Sequence, residues 1–386
     1  MFHLLHHRAS LFATACAASV LPLMSACAAP TSPTDTFALA IITGAHANAP
    51  KPVALGAVAT SIDQAVRMQA SAAVVVNSGH PTIVSQGRLA LNCNNDTACD
   101  LAIRTKTRLL TTTVTGARAD LPENNLLAAI ALADRALADH HGTKTLDIVD
   151  SGLQTVPPLR FQDEGMLAAN PQEVADYLDN THQLPDLRGV DVIIEGLGDT
   201  SEPQDALLSA QRSNLEAIWE AILRRAGAVN VQRVEQPLTG HSASGLPPVT
   251  PVPVGLAISF TSQSFDLTED LISFESETAI LKDPVKAQET LTDLAERIIK
   301  SHATVTLVGA TANVGPLDGQ RALGTARANA IRTILVQQLH VPSGEVTAEG
   351  VGSDWPGYVS DHDQNGQLLP GPAAQNRRVV VNFHNS

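Results

Sequence analysis

The chain has 386 residues, of which 44% are hydrophobic, 17% charged and only 3% aromatic, with a formal net charge of −14. That length suggests two or three domains with aliphatic cores. The acidic balance argues against nucleic acid as a partner, because phosphate recognition needs clustered Lys and Arg, and against electrostatic attraction to an anionic membrane surface.

Residues 1–27 read as an export leader. Arg8, with His3, His6 and His7 around it, makes a weakly basic start, and residues 11–23 form an apolar, Ala-rich run too short for a comfortable membrane span. Met24-Ser25-Ala26-Cys27 follows. Small residues before a Cys at this place resemble a bacterial lipobox, with Met24 where Leu is usual. The resemblance implies that Cys27 becomes the lipidated first residue. Its acyl chains would anchor it in a membrane, since each buried CH₂ contributes about 0.8 kcal/mol. The alternative is a plain leader cut near Ala29, with Cys27 discarded. Residues 28–36, rich in Pro, Ser and Thr, read as a short tether.

Residues 37–43 predict a buried strand, 62–70 a short helix and 72–76 a second strand. Residues 82–92 and 101–114 read as strands joined by the polar turn between Cys93 and Cys99. Cys16 falls in the leader, so Cys93 and Cys99 are the pair left to bridge in an oxidising compartment. A strong helix is expected over 124–140, with Asn124 or Asn125 as N-cap. Strands follow at 145–149 and 190–194, then a helix over 205–226 closed by Gly227, and a strand at 229–234. Strands apolar throughout and alternating with helices indicate a mostly parallel sheet covered on both faces. Residues 37–236 are therefore expected to form a Rossmann-like α/β domain. Residues 237–255, rich in Pro, Gly and Ser, have linker composition, and 256–386 form a second domain.

The order of strands and helices in 37–236, with Thr145-Leu146-Asp147-Ile148-Val149-Asp150-Ser151-Gly152, resembles a von Willebrand factor type A domain. That family holds a divalent metal through Asp-x-Ser-x-Ser after its first strand. Here the segment is Thr43-Gly44-Ala45-His46-Ala47, which lacks the Asp and both Ser. Asp150 alone is a poor Mg²⁺ or Ca²⁺ site, so no metal is expected. Ser78 and His80 lie close in sequence, but Asn77-Ser78-Gly79 is ordinary turn chemistry. His46 and His80 both follow strands and could meet at one sheet edge. Gly196-Leu197-Gly198-Asp199-Thr200 lacks the spacing of a phosphate loop and reads as a tight turn. No catalytic constellation emerges, and no cofactor is expected.

The second domain carries the stronger pattern. The strand Leu307-Val308-Gly309-Ala310 runs into Thr311-Ala312-Asn313-Val314-Gly315, then into a helix containing Arg327. Gly350-Val351-Gly352-Ser353-Asp354 and Asn376-Arg377-Arg378-Val379-Val380-Val381 follow. These segments resemble the OmpA-like peptidoglycan-binding domain, which implies a βαβαβ-β fold and, as ligand, the free end of diaminopimelate in the wall stem peptide. That group carries an ammonium and a carboxylate on one carbon. In the family an Asp ends the Gly-x-Thr-Asp turn and meets the ammonium, and an Arg fifteen residues later meets the carboxylate. Arg327 is in register for the carboxylate. The Asp is replaced by Ala312, and Gln320 stands where Asn is usual. The resemblance thus implies stem-peptide contacts through Arg327, Thr311, Asn313 and Arg378. It also implies weakened binding that Ala312→Asp should restore by tenfold or more, about 1.4 kcal/mol. Asp361, Asp363 and Asn365 before Gly366 have part of a calcium-loop spacing but no acid at the twelfth place. A polar loop is the better reading, and it could supply the missing acid.

Together these features predict an extracytoplasmic cell-envelope lipoprotein, non-enzymatic, with a structural or adhesive role. Its expected partners are the peptidoglycan stem peptide, a membrane through acylated Cys27, and an envelope protein on the first domain. The competing reading makes the first domain an interaction module or an enzyme, with a degenerate second domain that no longer binds the wall.

Overall fold

The computed structural model describes residues 36–255 and 263–384. The leader, Cys27, most of the tether and residues 256–262, where the second domain was expected to begin, lie outside the described residues. The first strand, β1 (Phe37–Thr43), sits at the centre of a six-stranded sheet. Its residues alternate between two cores. Ala38, Ala40 and Ile42 face one helical layer, while Phe37, Leu39 and Ile41 face the other, as the period of two in a strand requires.

The remaining strands are β2 (Ser71–Val76), β3 (Thr82–Arg88), β4 (Thr143–Val149), β5 (Val190–Glu195) and β6 (Asn230–Val234). Their order is β3-β2-β1-β4-β5-β6, parallel except for β3, which pairs antiparallel with β2 at one edge. This is the doubly wound order, with its topological switch between β1 and β4. On one face lie α1 (Gly56–Arg67) and α2 (Asp96–Gly116). On the other lie α3 (Leu126–Leu137), α4 (Pro171–Asn180) and α5 (Ser209–Arg225), around the buried Trp219. Among the described residues, no helix is long and apolar enough to cross a membrane.

The expected hairpin at the two cysteines is not formed. Residues 101–114 belong to α2, and the Cys93–Cys99 disulfide, with Cα atoms 5.0 Å apart, joins the approach to this helix to its first turn. Asn95 caps the helix by accepting the Ala98 N–H at 2.8 Å. Thr is β-branched and has low helix propensity. In the helix, Thr105, Thr112, Thr113 and Thr115 return their hydroxyls to carbonyls four residues back, while Leu110 and Val114, also four apart, bury against the sheet. Helix α4 begins with Asn170 as cap and Pro171 at the first position.

The stretch of linker composition is a strap on the first domain. Leu238, Ala243, Val249 and Val252 are buried. Gln204 grips Val252 from both sides, donating to its carbonyl at 2.8 Å and accepting its N–H at 2.6 Å. Glu123 accepts from the Thr250 N–H and hydroxyl.

A second sheet is built from β7 (Ser264–Leu267), β8 (Thr304–Ala310), β9 (Val346–Gly352) and β10 (Val379–His384), in the order β7-β10-β8-β9. Helices α6 (Pro284–Ser301) and α7 (Leu317–Thr333) cover it, and α8 (Pro370–Asn376) precedes β10. Gly309 lies inside β8. A Cβ there would come within 2.0 Å of the Gly324 carbonyl oxygen on α7, and one at Gly350 within 2.2 Å of the Arg321 carbonyl oxygen. These glycines let helix and strands touch backbone to backbone. Helix α8 leans on the first sheet's layer: Ala374 joins that core, and Gln375 Nε2 donates to the Glu164 carbonyl at 2.7 Å.

Candidate functional site

The turn between β8 and α7 forms one wall of a cavity of ≈300 Å³. Thr311, Ala312, Val314 and Gly315 line it from the turn, and Gln320, Leu323 and Arg327 from α7. The turn is stapled in place. Gln320 Nε2 donates to Asn313 Oδ1 at 3.0 Å and to the Gly315 carbonyl at 2.9 Å, while its Oε1 accepts the Ser353 N–H at 3.1 Å. Gly315, at φ 74°, turns the chain into the helix.

Arg327 is a buried cation in the wall of this cavity, only 6% exposed. Its Nε donates to the Thr278 carbonyl at 2.9 Å, and its guanidinium lies 5.2 Å from the Phe274 ring centroid. Burial lowers its proton affinity below the ordinary arginine range, with Glu269 opposing that and Arg377 adding to it. A guanidinium in a cavity wall can donate two parallel N–H bonds to a carboxylate.

Sequence reasoning placed Arg378 at the ligand, but the cavity is lined by Arg377 instead. Alternation along the approach to β10 sends the two neighbours in different directions. Arg378 Nη1 donates to Asp266 at 2.6 Å and its Nε to the Gln375 carbonyl. Its guanidinium carbon stands 5.2 Å from the Trp355 ring centroid. Arg377 pairs with Glu173 on α4 of the first layer. Its Nη1 is buried without a partner among the described residues.

Asn313 does not line the cavity; its backbone N–H donates to Asp361 at 2.8 Å. Asp361, considered from sequence as a substitute acid for the ligand, is fully committed elsewhere. It is wholly buried and also accepts from Tyr358 Oη at 2.6 Å and Asn376 Nδ2 at 3.0 Å, with His362 Nδ1 at 2.9 Å. Burial opposes its charge. The Tyr358, Asn313, Asn376 and His362 bonds outweigh that and hold its carboxyl below the usual range. Asp363 instead accepts the N–H groups of Asn365 and Gln367 in its own turn. The loop thus fastens the floor beneath Asn313. Asp361→Asn should cost about 1–3 kcal/mol in urea denaturation at pH 7. That advantage of the wild type should disappear on acidification, because a depressed folded pKa gives stability that is lost as pH falls through it.

At the switch point of the first sheet, Asp150 is buried. It accepts from Asn77 at 2.9 Å, Asn124 at 3.0 Å and the Gly152 N–H at 2.8 Å, with His46 Nε2 at 3.4 Å. Burial opposes ionisation, but His46, Asn124 and Asn77 keep its carboxyl below the usual range. The two histidines considered together are separated by burial: His46 is inside and His80 exposed. Ser78 Oγ is occupied with the backbone of His80. The Gly196–Gly198 turn is gripped by Arg212, which donates to the carbonyls of Leu197 and Gly198 and to Asp199.

Residues 273–366 match the family model of the OmpA family. The C-terminal domain is OmpA-like. Among curated proteins, the chain is similar to outer membrane protein Omp38 of Acinetobacter baumannii, 29% identical over 160 residues, which is 39% of this chain and 41% of Omp38. The chain thus covers less than half the length of that relative. Among solved structures, it is similar to the peptidoglycan-associated lipoprotein of Burkholderia pseudomallei, at 23% identity and a TM-score of 0.25 over 32% of this chain and 91% of that one. It is also similar to the cell wall anchor of the T6SS from Pseudomonas aeruginosa, at 24% identity and a TM-score of 0.25 over 32% of this chain and 81% of that one. The cavity lies within the OmpA-like domain, with most of its wall inside the matched residues; Arg377 lies just beyond them.

Proposed function

We propose that the OmpA-like domain holds this protein non-covalently against peptidoglycan by taking the end of a stem peptide into the Ala312–Arg327 cavity. The observation that carries the reading is the buried Arg327 guanidinium in the wall of that cavity, in register with the family's carboxylate-binding Arg. The role is structural or adhesive and not catalytic. In the first domain, Asp150 at the switch point is taken up by Asn77, Asn124 and the Gly152 N–H, which favours a scaffold or envelope-protein interaction module over an enzyme. The test is retention of the full chain by purified sacculi of known stem composition, with Arg327→Ala as control. Failure of the wild type to sediment with any sacculus would end the reading.

The protein's place in this reading is the bacterial cell envelope, tethered to a membrane through acylated Cys27. Intact-mass analysis of membrane-extracted protein should show an acylated Cys27 as first residue. A mature form beginning at Ala28 or later would remove the lipid anchor while leaving wall binding untouched.

A further inference from the structure

The β8–α7 turn offers no acid for an ammonium, since Ala312 stands there, yet an acid is present elsewhere on the same cavity. Glu277 lines it, from the turn that follows Phe274, and is exposed. Its backbone lies at φ 56°, a left-handed conformation uncommon for a residue with a side chain. That turn is tied down repeatedly. The Glu275 N–H donates to the Ile280 carbonyl at 2.8 Å, and the Thr278 N–H and hydroxyl both donate to the Glu275 carbonyl at 3.1 Å. Arg327 Nε binds the Thr278 carbonyl. The residue that supplies the guanidinium therefore also anchors the turn that carries the carboxylate.

Two guanidinium groups line the cavity. Arg327 spends Nε on the Thr278 carbonyl, and Arg377 pairs with Glu173. A ligand that brought only a carboxylate would use Arg327 and leave Glu277 unused. One that brought only an amine would leave the guanidinium groups unused. A group with ammonium and carboxylate on one carbon engages both.

We propose that Glu277 is the ammonium-binding residue of this cavity, standing in for the acid absent at Ala312. It makes the site selective for a stem peptide that ends in a free amino-acid group, over one whose end lacks the amine or whose carboxylate is amidated. This rests on the wall-binding reading. The acid has moved from the β8–α7 turn to the turn after Phe274, and the longer Glu side chain suits an approach from the cavity rim.

The test is calorimetric binding of the full chain to the tripeptide L-Ala-γ-D-Glu-meso-diaminopimelate, and to the same peptide with the distal amino group removed. Glu277→Gln should bind the intact tripeptide at least tenfold more weakly than wild type, about 1.4 kcal/mol. It should bind the deaminated peptide as wild type does, and Ala312→Asp in the Glu277→Gln background should recover the loss. If Glu277→Gln binds the tripeptide as tightly as wild type, or loses equally on both peptides, Glu277 is not the ammonium partner and the wall-binding reading stands without it. If the wild type binds neither peptide, both fall together.

Discussion

Arg327→Ala should abolish retention by sacculi and weaken binding to a diaminopimelate tripeptide by at least about thirtyfold, the lower end of the 2–5 kcal/mol that follows loss of one partner from a buried charge pair. Two contributions add. The ligand carboxylate loses its parallel N–H donors. In addition, the Thr278 carbonyl loses the Nε donor that holds the Glu277 turn. Arg327→Lys separates them, since an ammonium keeps the charge but not the planar fork. It should recover part of the affinity and most of the stability. Urea melts of all three proteins check that binding, and not folding, is being read. Unchanged binding by folded Arg327→Ala would exclude this cavity as the wall site. Ala312→Asp in the wild-type background should tighten binding less than in the Glu277→Gln background, because Glu277 already supplies an acid.

The second large effect is on stability and its dependence on pH. Asp147, in the middle of β4, is completely buried beneath α1. Ser61 Oγ donates to its Oδ1 at 3.3 Å, and its Oδ2 has no partner among the described residues. Desolvation, weakly offset by Ser61 and reinforced by Glu195, pushes its carboxyl up to about 8. The folded protein therefore binds this proton more tightly than the unfolded chain, whose Asp titrates near 3.9. The stabilising contribution is complete below that value and is lost progressively as pH rises to the folded value, at about 1.4 kcal/mol per pH unit. Across pH 5 to pH 8 this amounts to several kcal/mol. Asp147→Asn keeps the shape and removes the titration. Urea denaturation at pH 5 and pH 9 should show wild type losing several kcal/mol relative to Asp147→Asn. Parallel profiles for the two proteins would mean that Asp147 ionises without penalty.

Asp147 also shows where a linear reading runs out. The run Thr145-Leu146-Asp147-Ile148-Val149 announces a buried strand by its apolar content, and the strand is there. Nothing in the run says that its carboxylate meets the Ser61 hydroxyl and faces Glu195, because those neighbours come from α1 and β5. Residues 101–114 went wrong for a related reason. Six Thr between Thr105 and Thr115 favour a strand locally. The i,i+4 pair Leu110 and Val114 favours a helix only once there is a sheet to bury it against. The Pro-rich strap was legible as neither helix nor strand, and its attachment through Gln204 and Glu123 was not.

Strands alternating with covering helices in residues 37–236, and Cys93 with Cys99 as the pair left to bridge, were legible within their own segments; the second sheet and Arg327 as a candidate carboxylate partner came from the resemblance to the OmpA-like domain. Hydrophobic periodicity within one segment survives without knowledge of the neighbours. Which charges share the cavity was set by packing. Packing turned Arg377 inward and Arg378 onto Asp266, spent Asp361 on the Asn313 N–H, and set Glu277 on the cavity that holds Arg327. Glu277 and Arg327 lie fifty residues apart, and their sharing a wall depends on how one turn packs on one helix. A side chain's partners are set by packing in three dimensions, and sequence spacing carries no record of it.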